Sequence, residues 1–392
     1  MKKICAAILC LALGFFLACC SLNMDGVKDA SSGAQASSKA PASSKLAGAS
    51  SVPTTADVAP NPSGNSANGG YMCETPDAIY WVNVGSHYKT NASSGDAVNF
   101  QIHTETRNRT NQKPFSQEHP YIACLTYDDQ NLYFCTSDNF GYSDNNVLIG
   151  IYSISFATGK ETAIYTAKPT FPNSEPILNI QNLTAYKGKL YFVTRTAADE
   201  DTVLCSINTD GSGIHEFDIP GLQPIQFAFG DERIYFAAYD GAPNSTGERP
   251  SAIYKTDASF SALSKMIGTD DFGYPNCLQT EGDNVFYCAY IGNGYEIHRI
   301  DGAGRKTVMW ALHNIEGNAG EGWSFCINVT GGVVYFTSIY PTNGGYDAGY
   351  AACNYITGEK KEHISEIDLK AYGTSGLYFV GGHLFYGYGP EP

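Results

Sequence analysis

The stretch QNLTAYKGKLYFVTR, Gln181 to Arg195, reads as a strand, a tight turn at Lys187-Gly188 and a second strand rich in β-branched and aromatic residues. The unit recurs along the chain. It returns as CETPDAIYWVN (Cys73 to Asn83), CLTYDDQNLYFCTS (Cys124 to Ser137), FAFGDERIYFAAY (Phe227 to Tyr239) and LQTEGDNVFYCAY (Leu278 to Tyr290). INVTGGVVYFTS (Ile327 to Ser338) and LYFVGGHLFYGYG (Leu377 to Gly389) follow. Hairpins repeating at a period of about fifty residues signal a stacked all-β array, and this period fits the blades of a β-propeller.

Working outward, each hairpin supplies the inner two strands of a four-stranded antiparallel blade, and a second pair supplies the outer two. Thr202 to Ile219 and Tyr295 to Leu312 are such pairs, with Asp210-Gly211 and Asp301-Gly302 reading as type I′ turns. Ile151 to Ala167, Ala252 to Ile267 and Ala351 to Ser365 are equivalent, and a degenerate pair is expected between Tyr88 and Thr104. Inner second strands such as Leu132-Tyr133-Phe134-Cys135 are continuously apolar, as expected of strands covered on both faces. The hairpin count predicts seven blades with a short last one. Six blades, with the terminal hairpin used in closure, is the alternative.

Residues 1–18 have the form of a secretory signal: Lys2 and Lys3, an apolar run from Ile4 to Leu17, then small residues. Phe16-Leu17-Ala18-Cys19 resembles the lipobox of bacterial lipoproteins, which makes Cys19 the expected lipidated residue; a cut before Cys20 would put Cys19 where Gly, Ala or Ser is usual. Residues 19–70 are Ser, Ala, Gly and Pro with almost no large apolar side chain, the composition of a disordered tether. Residues 71–392 form the expected propeller domain.

Loop lengths carry the functional reading. The turns within hairpins are short, whereas the connections between pairs and between repeats are long, and in a four-stranded meander these two sets emerge at opposite ends. Long loops on a rigid scaffold are the usual place for binding. The candidate binding face is Phe140, Tyr142, Phe272, Tyr274, Trp323, Tyr340 and Tyr346, with nearby Asp138, Asp144, Asp271 and Asp347. Aromatics beside carboxylates suit a sugar, a cation or a basic peptide.

The formal charge is −15, and no basic patch is interleaved with aromatics, which argues against nucleic acid. An acidic chain gains nothing from an anionic membrane surface, so attachment is left to the lipid anchor. Two-residue inner turns would set Cys124 directly opposite Cys135 and Cys277 directly opposite Cys288, two possible disulfides in an exported protein. The histidines are scattered, without HExxH or CxxC spacing, and no GxSxG elbow or P-loop is present. The sequence names no catalytic residue and no cofactor. Asp-rich loops such as Ala198 to Asp201 lack the EF-hand ligand order and give calcium only weak support.

GNSANGG (Gly64 to Gly70) leading into IYWVN, the recurring IYF and LYF strands, and the DGxG turns at Asp210 to Gly213 and Asp301 to Gly304 resemble a family of bacterial lipoprotein domains of unknown function. That family is grouped with propellers of the low-density-lipoprotein-receptor and TolB-like types. The likeness spans most of Gly64 to Gly389 and implies six blades; the receptor-type YWTD tetrad is absent. The expectation is an exported, monomeric, lipid-anchored module that binds a protein, peptide or glycan of the cell envelope. The rivals are a propeller enzyme acting on glycans and a structural component of an envelope complex.

Overall fold

A computed structural model describes residues 65, 68–84, 100–119, 121–136, 149–167, 180–195, 202–230, 232–242, 249–268, 274–290, 294–313, 326–342, 345–362, 364, 367–372 and 376–388. These are strand and turn almost throughout. Blade 1 is β1 (Met72–Glu74), β2 (Ala78–Val84), β3 (Phe100–Thr106) and β4 (Lys113–Pro114). Blade 2 is β5 (Ala123–Tyr127), β6 (Asn131–Thr136), β7 (Ile149–Ser155) and β8 (Glu161–Ala167). Blade 3 is β9 (Gln181–Tyr186), β10 (Lys189–Arg195), β11 (Thr202–Asn208) and β12 (His215–Glu216). Blade 4 is β13 (Leu222–Phe229), β14 (Ile234–Asp240), β15 (Ser251–Thr256) and β16 (Ser264–Gly268). Blade 5 is β17 (Tyr274–Glu281), β18 (Asn284–Tyr290), β19 (Gly294–Ile300) and β20 (Lys306–His313). Blade 6 is β21 (Ile327–Thr330), β22 (Val333–Thr342), β23 (Gly345–Asn354) and β24 (Lys360–Lys361).

The last sheet differs. β25 (Ile367–Tyr372), β26 (Gly376–Val380) and β27 (His383–Tyr388) form a three-stranded sheet in the order β25-β27-β26, with β25 parallel to β27. The third place is thus filled by a strand that precedes the hairpin in sequence. The innermost strands follow one another around a ring, β1 beside β5, then β9, β13, β17, β21 and β26, which returns to β1. Six four-stranded blades and this three-stranded sheet therefore surround one channel. The structure moves the expected outer pair of blade 1 from Tyr88–Thr104 to β3 and β4, which end at Pro114.

The IYF and LYF pattern has a packing cause. Consecutive aromatics on a strand point to opposite faces, so each blade offers one ring to each neighbour. The first ring packs forward: Tyr191 on Phe229 of blade 4 at 5.0 Å, Phe286 on Tyr355 of blade 6 at 4.9 Å, Tyr335 on Phe379 at 5.5 Å. The second packs backward: Phe192 on Tyr165 of blade 2 at 6.1 Å and Phe336 on Trp310 of blade 5 at 4.9 Å. Such pairs add about 0.5–1.5 kcal/mol each beyond the area they bury.

Turn chemistry follows the sequence on the inner hairpins and departs from it on the outer ones. Lys187 and Gly188 both take positive φ, 48° and 75°, as a type I′ turn requires. At Asp210 and Asp301 the type I′ expectation fails. The positive φ falls instead on Gly211 (86°) and Gly304 (79°), which donate to Asn208 O and Asp301 O at 2.8 Å. The acids act as side-chain caps: Asp210 Oδ1 accepts from Ser212 N at 2.9 Å, and Asp301 Oδ1 accepts from Ala303 N at 3.0 Å.

Candidate functional site

Every inner strand turns an unpaired edge of N–H and C=O groups toward the channel, and these need partners. Part of the need is met from blade to blade by buried polar side chains. Thr126 Oγ1 accepts from Ala185 N at 3.1 Å, and Gln226 Oε1 from Leu278 N at 2.7 Å. Gln279 Oε1 accepts from Val329 N at 2.9 Å while its Nε2 donates to Ile327 O. Asn328 Nδ2 donates to Leu377 O at 3.0 Å.

A further part is met by the chain just ahead of β1. Asn65 and Asn68 are buried, and Gly70 N donates to Asn65 O at 2.9 Å, closing a compact turn. Asn65 Nδ2 donates to Phe379 O at 3.3 Å, and its Oδ1 accepts from Phe379 N at 3.0 Å. Asn68 Nδ2 donates to Ile327 O at 2.8 Å and Leu377 O at 2.5 Å. On the other side, Cys124 N donates to Gly69 O at 2.9 Å and Leu125 N to Gly70 O at 2.6 Å. The segment thus bridges blade 6 and the three-stranded sheet to blade 2, and Tyr378 Oη donates to Asn68 O. Sequence reading had placed these residues in the tether. The signal was present in NSANGG: two amides able to serve both edge polarities, then two glycines free to take φ of 92° and 64°.

This closure lies near the starts of the inner strands, at the end from which the long connections emerge. Phe140, Tyr142, Phe272 and Trp323 of the expected binding face, and Cys19, lie outside the described residues. Tyr274 opens β17, paired with Tyr290. Tyr340 and Tyr346, read as loop residues, stand instead in β22 and β23. These strands run past the level at which β18 and β19 end and add the pairs Tyr340 with Asp347, Pro341 with Tyr346 and Thr342 with Gly345. The hairpin therefore projects roughly 10 Å farther on the loop-bearing side. Tyr340 and Tyr346 fall at register positions on opposite faces of it.

The cysteine register also departs from expectation. A bulge between Ala123 and Thr126 sets Ala123, not Cys124, opposite Cys135, and one between Asn276 and Gln279 sets Asn276 opposite Cys288. Cys124 and Cys277 occupy the bulges with φ of 58° and 54°. All eight described cysteines are free thiols. The two thiols share the Ile180 carbonyl; the interaction with Cys135 holds Cys124 below the ordinary thiol range, and the interaction with Cys124, with burial, pushes Cys135 well above it.

Two acid–histidine pairs lie among the described residues. His119 Nε2 meets Glu161 Oε1 at 2.8 Å, with Phe134 and Tyr152 against the ring. Burial pushes the Glu161 carboxyl up, but His119 and the Gln117 N–H together hold it below its usual range. His298, fully buried, stacks on Tyr287 at 5.0 Å with Glu296 Oε2 3.0 Å from its Nε2.

Carboxylates at the opposite, short-turn face are engaged in structure. Glu74 accepts from Gly381 N at 2.6 Å and from Arg107, and Glu281 accepts from Gly332 N at 3.0 Å and Tyr355 Oη at 2.7 Å. Asp128 accepts from Tyr133 Oη at 2.6 Å. Among the described residues, no three His, Cys, Asp or Glu side chains are grouped as a metal site would need.

Fold and site together define a β-propeller in which Asn65 and Asn68 to Gly70 join the inner strands on either side of β1. No family model matches the chain, and no curated protein does. Among solved structures it is similar to the β-propeller domain of the Trilobed protease from Pyrococcus furiosus, at 15% identity and a TM-score of 0.46 over 76% of this chain and 84% of that one. It is also similar to TolB from Acinetobacter baumannii, at 11% identity and a TM-score of 0.43 over 72% and 62% of the two chains. An oligogalacturonate lyase in complex with manganese matches at 11% identity and a TM-score of 0.47, over 71% and 75%.

Proposed function

We propose that this chain is an exported, lipid-anchored binding module of the bacterial cell envelope, which takes a protein, peptide or glycan ligand on the face that carries its long connections. The observation that supports this reading is the asymmetry of the two faces. Connections within hairpin pairs span two to seven residues and leave one end of the strands. Every connection longer than seven residues, such as those from β2 to β3, β6 to β7 and β20 to β21, leaves the other end, where the β22–β23 hairpin also projects. A rigid scaffold with its variable chain gathered on one side is the arrangement used for recognition. The lipobox at Phe16 to Cys19 supports anchoring, and the family resemblance at Gly64 to Gly70 supports the same lipoprotein class.

The test uses the mature chain as bait against glycan arrays, purified cell wall and envelope extract. A parallel bait carries Tyr340→Ala and Tyr346→Ala. Capture lost in the variant, with its melting temperature unchanged, supports the loop-bearing face. Equal capture by both baits moves the site off the hairpin. Turnover of a glycan by the wild-type chain replaces the binding reading with an enzymatic one. Anchoring is read separately by incorporation of labelled palmitate, expected to vanish in Cys19→Ala.

A further inference from the structure

The seven inner hairpins give an internal comparison at one structural position. In blade 2 the bulge residue is Cys124 and the facing strand carries Cys135. In blade 5 the bulge residue is Cys277 and the facing strand carries Cys288. Blade 3 has the same bulge, but Asn182 occupies it at φ 54° and Val193 stands across. Blade 6 has a cysteine at this place, Cys326, but no bulge, and its facing residue is Thr337, whose N donates to Cys326 O at 3.1 Å. Cysteine and bulge therefore coincide where a second cysteine faces them. Where either feature is missing, so is the thiol partner.

The left-handed region is costly for a residue with a Cβ, and Asn is the side chain that tolerates it best. Asn182 obeys that preference; Cys124 and Cys277 do not. The bulge turns the backbone so that the Cys124 thiol reaches the same carbonyl as its neighbour: Cys124 Sγ lies 4.0 Å from Ile180 O, and Cys135 Sγ lies 3.5 Å from it. Cys277, half-buried, packs against the apolar cluster that holds Cys288, and the bulge sets its neighbour Asn276 opposite Cys288.

We infer that Cys124 with Cys135, and Cys277 with Cys288, are two disulfide-forming sites of identical design, each closed by thiol–disulfide exchange with an oxidised dithiol oxidoreductase while the blade folds. In each, the thiolate of the bulge cysteine attacks one sulfur of the oxidoreductase disulfide and releases the other as a thiolate. The facing thiolate then attacks the mixed disulfide, forming the intramolecular S–S bond and expelling the second sulfur. The protein pair loses two electrons and two protons, and the oxidoreductase leaves as a dithiol. Burial explains the timing, since Cys124, Cys135 and Cys288 are buried and Cys277 is half-buried once the blades have packed. Export supplies the oxidising compartment in the cell, but the chemistry itself rests only on the two pairs.

The experiment refolds the full chain from denaturant in a glutathione redox buffer, blocks remaining thiols with a maleimide and maps the peptides by mass spectrometry. The expected result is that the peptides holding Cys124 and Cys135, and Cys277 and Cys288, are each lighter by two hydrogens. Cys73, Cys205, Cys326 and Cys353 carry the label. The melting temperature is expected to rise by about 4 °C per bridge over the dithiothreitol-treated protein. Cys135→Ala is expected to leave Cys124 labelled and the second bridge intact. Full labelling of Cys124, Cys135, Cys277 and Cys288 after oxidative refolding overturns the proposal. So does a bridge from Cys277 to Cys326 in place of Cys288. Because the assay is done on purified chain, failure of the export reading would leave it unaffected.

Discussion

Asn328 Nδ2 donates to Asn65 Oδ1 at 2.8 Å, joining an inner strand of blade 6 to the segment that precedes blade 1. The two residues are 263 positions apart, and both are fully buried. Asn65 also serves the N–H and C=O of Phe379, so one amide holds blade 6, the three-stranded sheet and the chain entering blade 1 together. In propellers the ring needs a closure, and here it is made through the centre by side-chain amides.

Asn65→Ala is therefore expected to leave Phe379 N–H and C=O without partners inside the channel. Each orphaned group costs about 1–3 kcal/mol, so the variant should lose about 3 kcal/mol of unfolding free energy. Urea denaturation followed by tyrosine fluorescence measures this. A midpoint unchanged from wild type would show that the segment merely rests in the channel.

A second test of the same closure uses the glycines. A Cβ at Gly70 would stand 2.5 Å from Cys124 Cα, at a backbone φ of 64°. Gly188 has a similar φ of 75°, but nothing lies within 4 Å of the Cβ position. Gly188→Ala should cost about 1 kcal/mol, the conformational term alone. Gly70→Ala carries the same term and a clash with backbone that cannot move without opening blade 2. Its midpoint should fall at least twice as far. Equal losses would mean that the segment shifts freely.

How much of this was legible depends on the distance over which each contact acts. The hairpins were readable because Leu190-Tyr191-Phe192 and its equivalents repeat a local pattern whose cause, one ring for each neighbouring blade, is the same in every copy. Asn65 was not readable as a closure, because its partners lie at the far end of the chain and its neighbours are small and polar. The bulge at Cys124 escaped because the register of a strand depends on backbone φ, and nothing in CLTYD shows an extra residue. β25 escaped for a different reason. A strand pairing parallel with one that follows it leaves no hairpin signal. Of the expected binding face, Tyr340 and Tyr346 stand in strands and not in a loop, and Asn343-Gly344 between them is the sequence signal of a hairpin.

The forward and backward rings give a third prediction. Phe336, only 1% exposed, packs backward on Trp310 at 4.9 Å. Phe336→Ala opens a cavity between two blades and should cost about 3–5 kcal/mol. Phe336→Leu, which retains most of the volume, should cost well under half of that. Similar losses from both would place the energy in the ring–ring geometry instead of in the volume filled.

The last prediction concerns acid. His298 is fully buried, and that burial, with the charge of Lys306 adding, lowers its pKa from 6.5 to about 4; Glu296 pulls the opposite way from 3.0 Å. A folded state that holds this imidazole neutral binds its proton later than the unfolded chain does. Stability from the site is therefore complete above pH 6.5 and declines as pH falls toward 4, by up to about 1.4 kcal/mol per pH unit, because protons drive unfolding. His298→Phe keeps a flat ring against Tyr287 and has no proton to take up. The difference in unfolding free energy between wild type and variant should thus shift in favour of the variant between pH 6.5 and 4. Above pH 7 it should be constant. Denaturant titrations at intervals across that range measure it. A constant difference throughout would mean that the attraction of Glu296 offsets burial, and a shift in favour of wild type would mean that Glu296 pairs with a charged His298 in the folded protein.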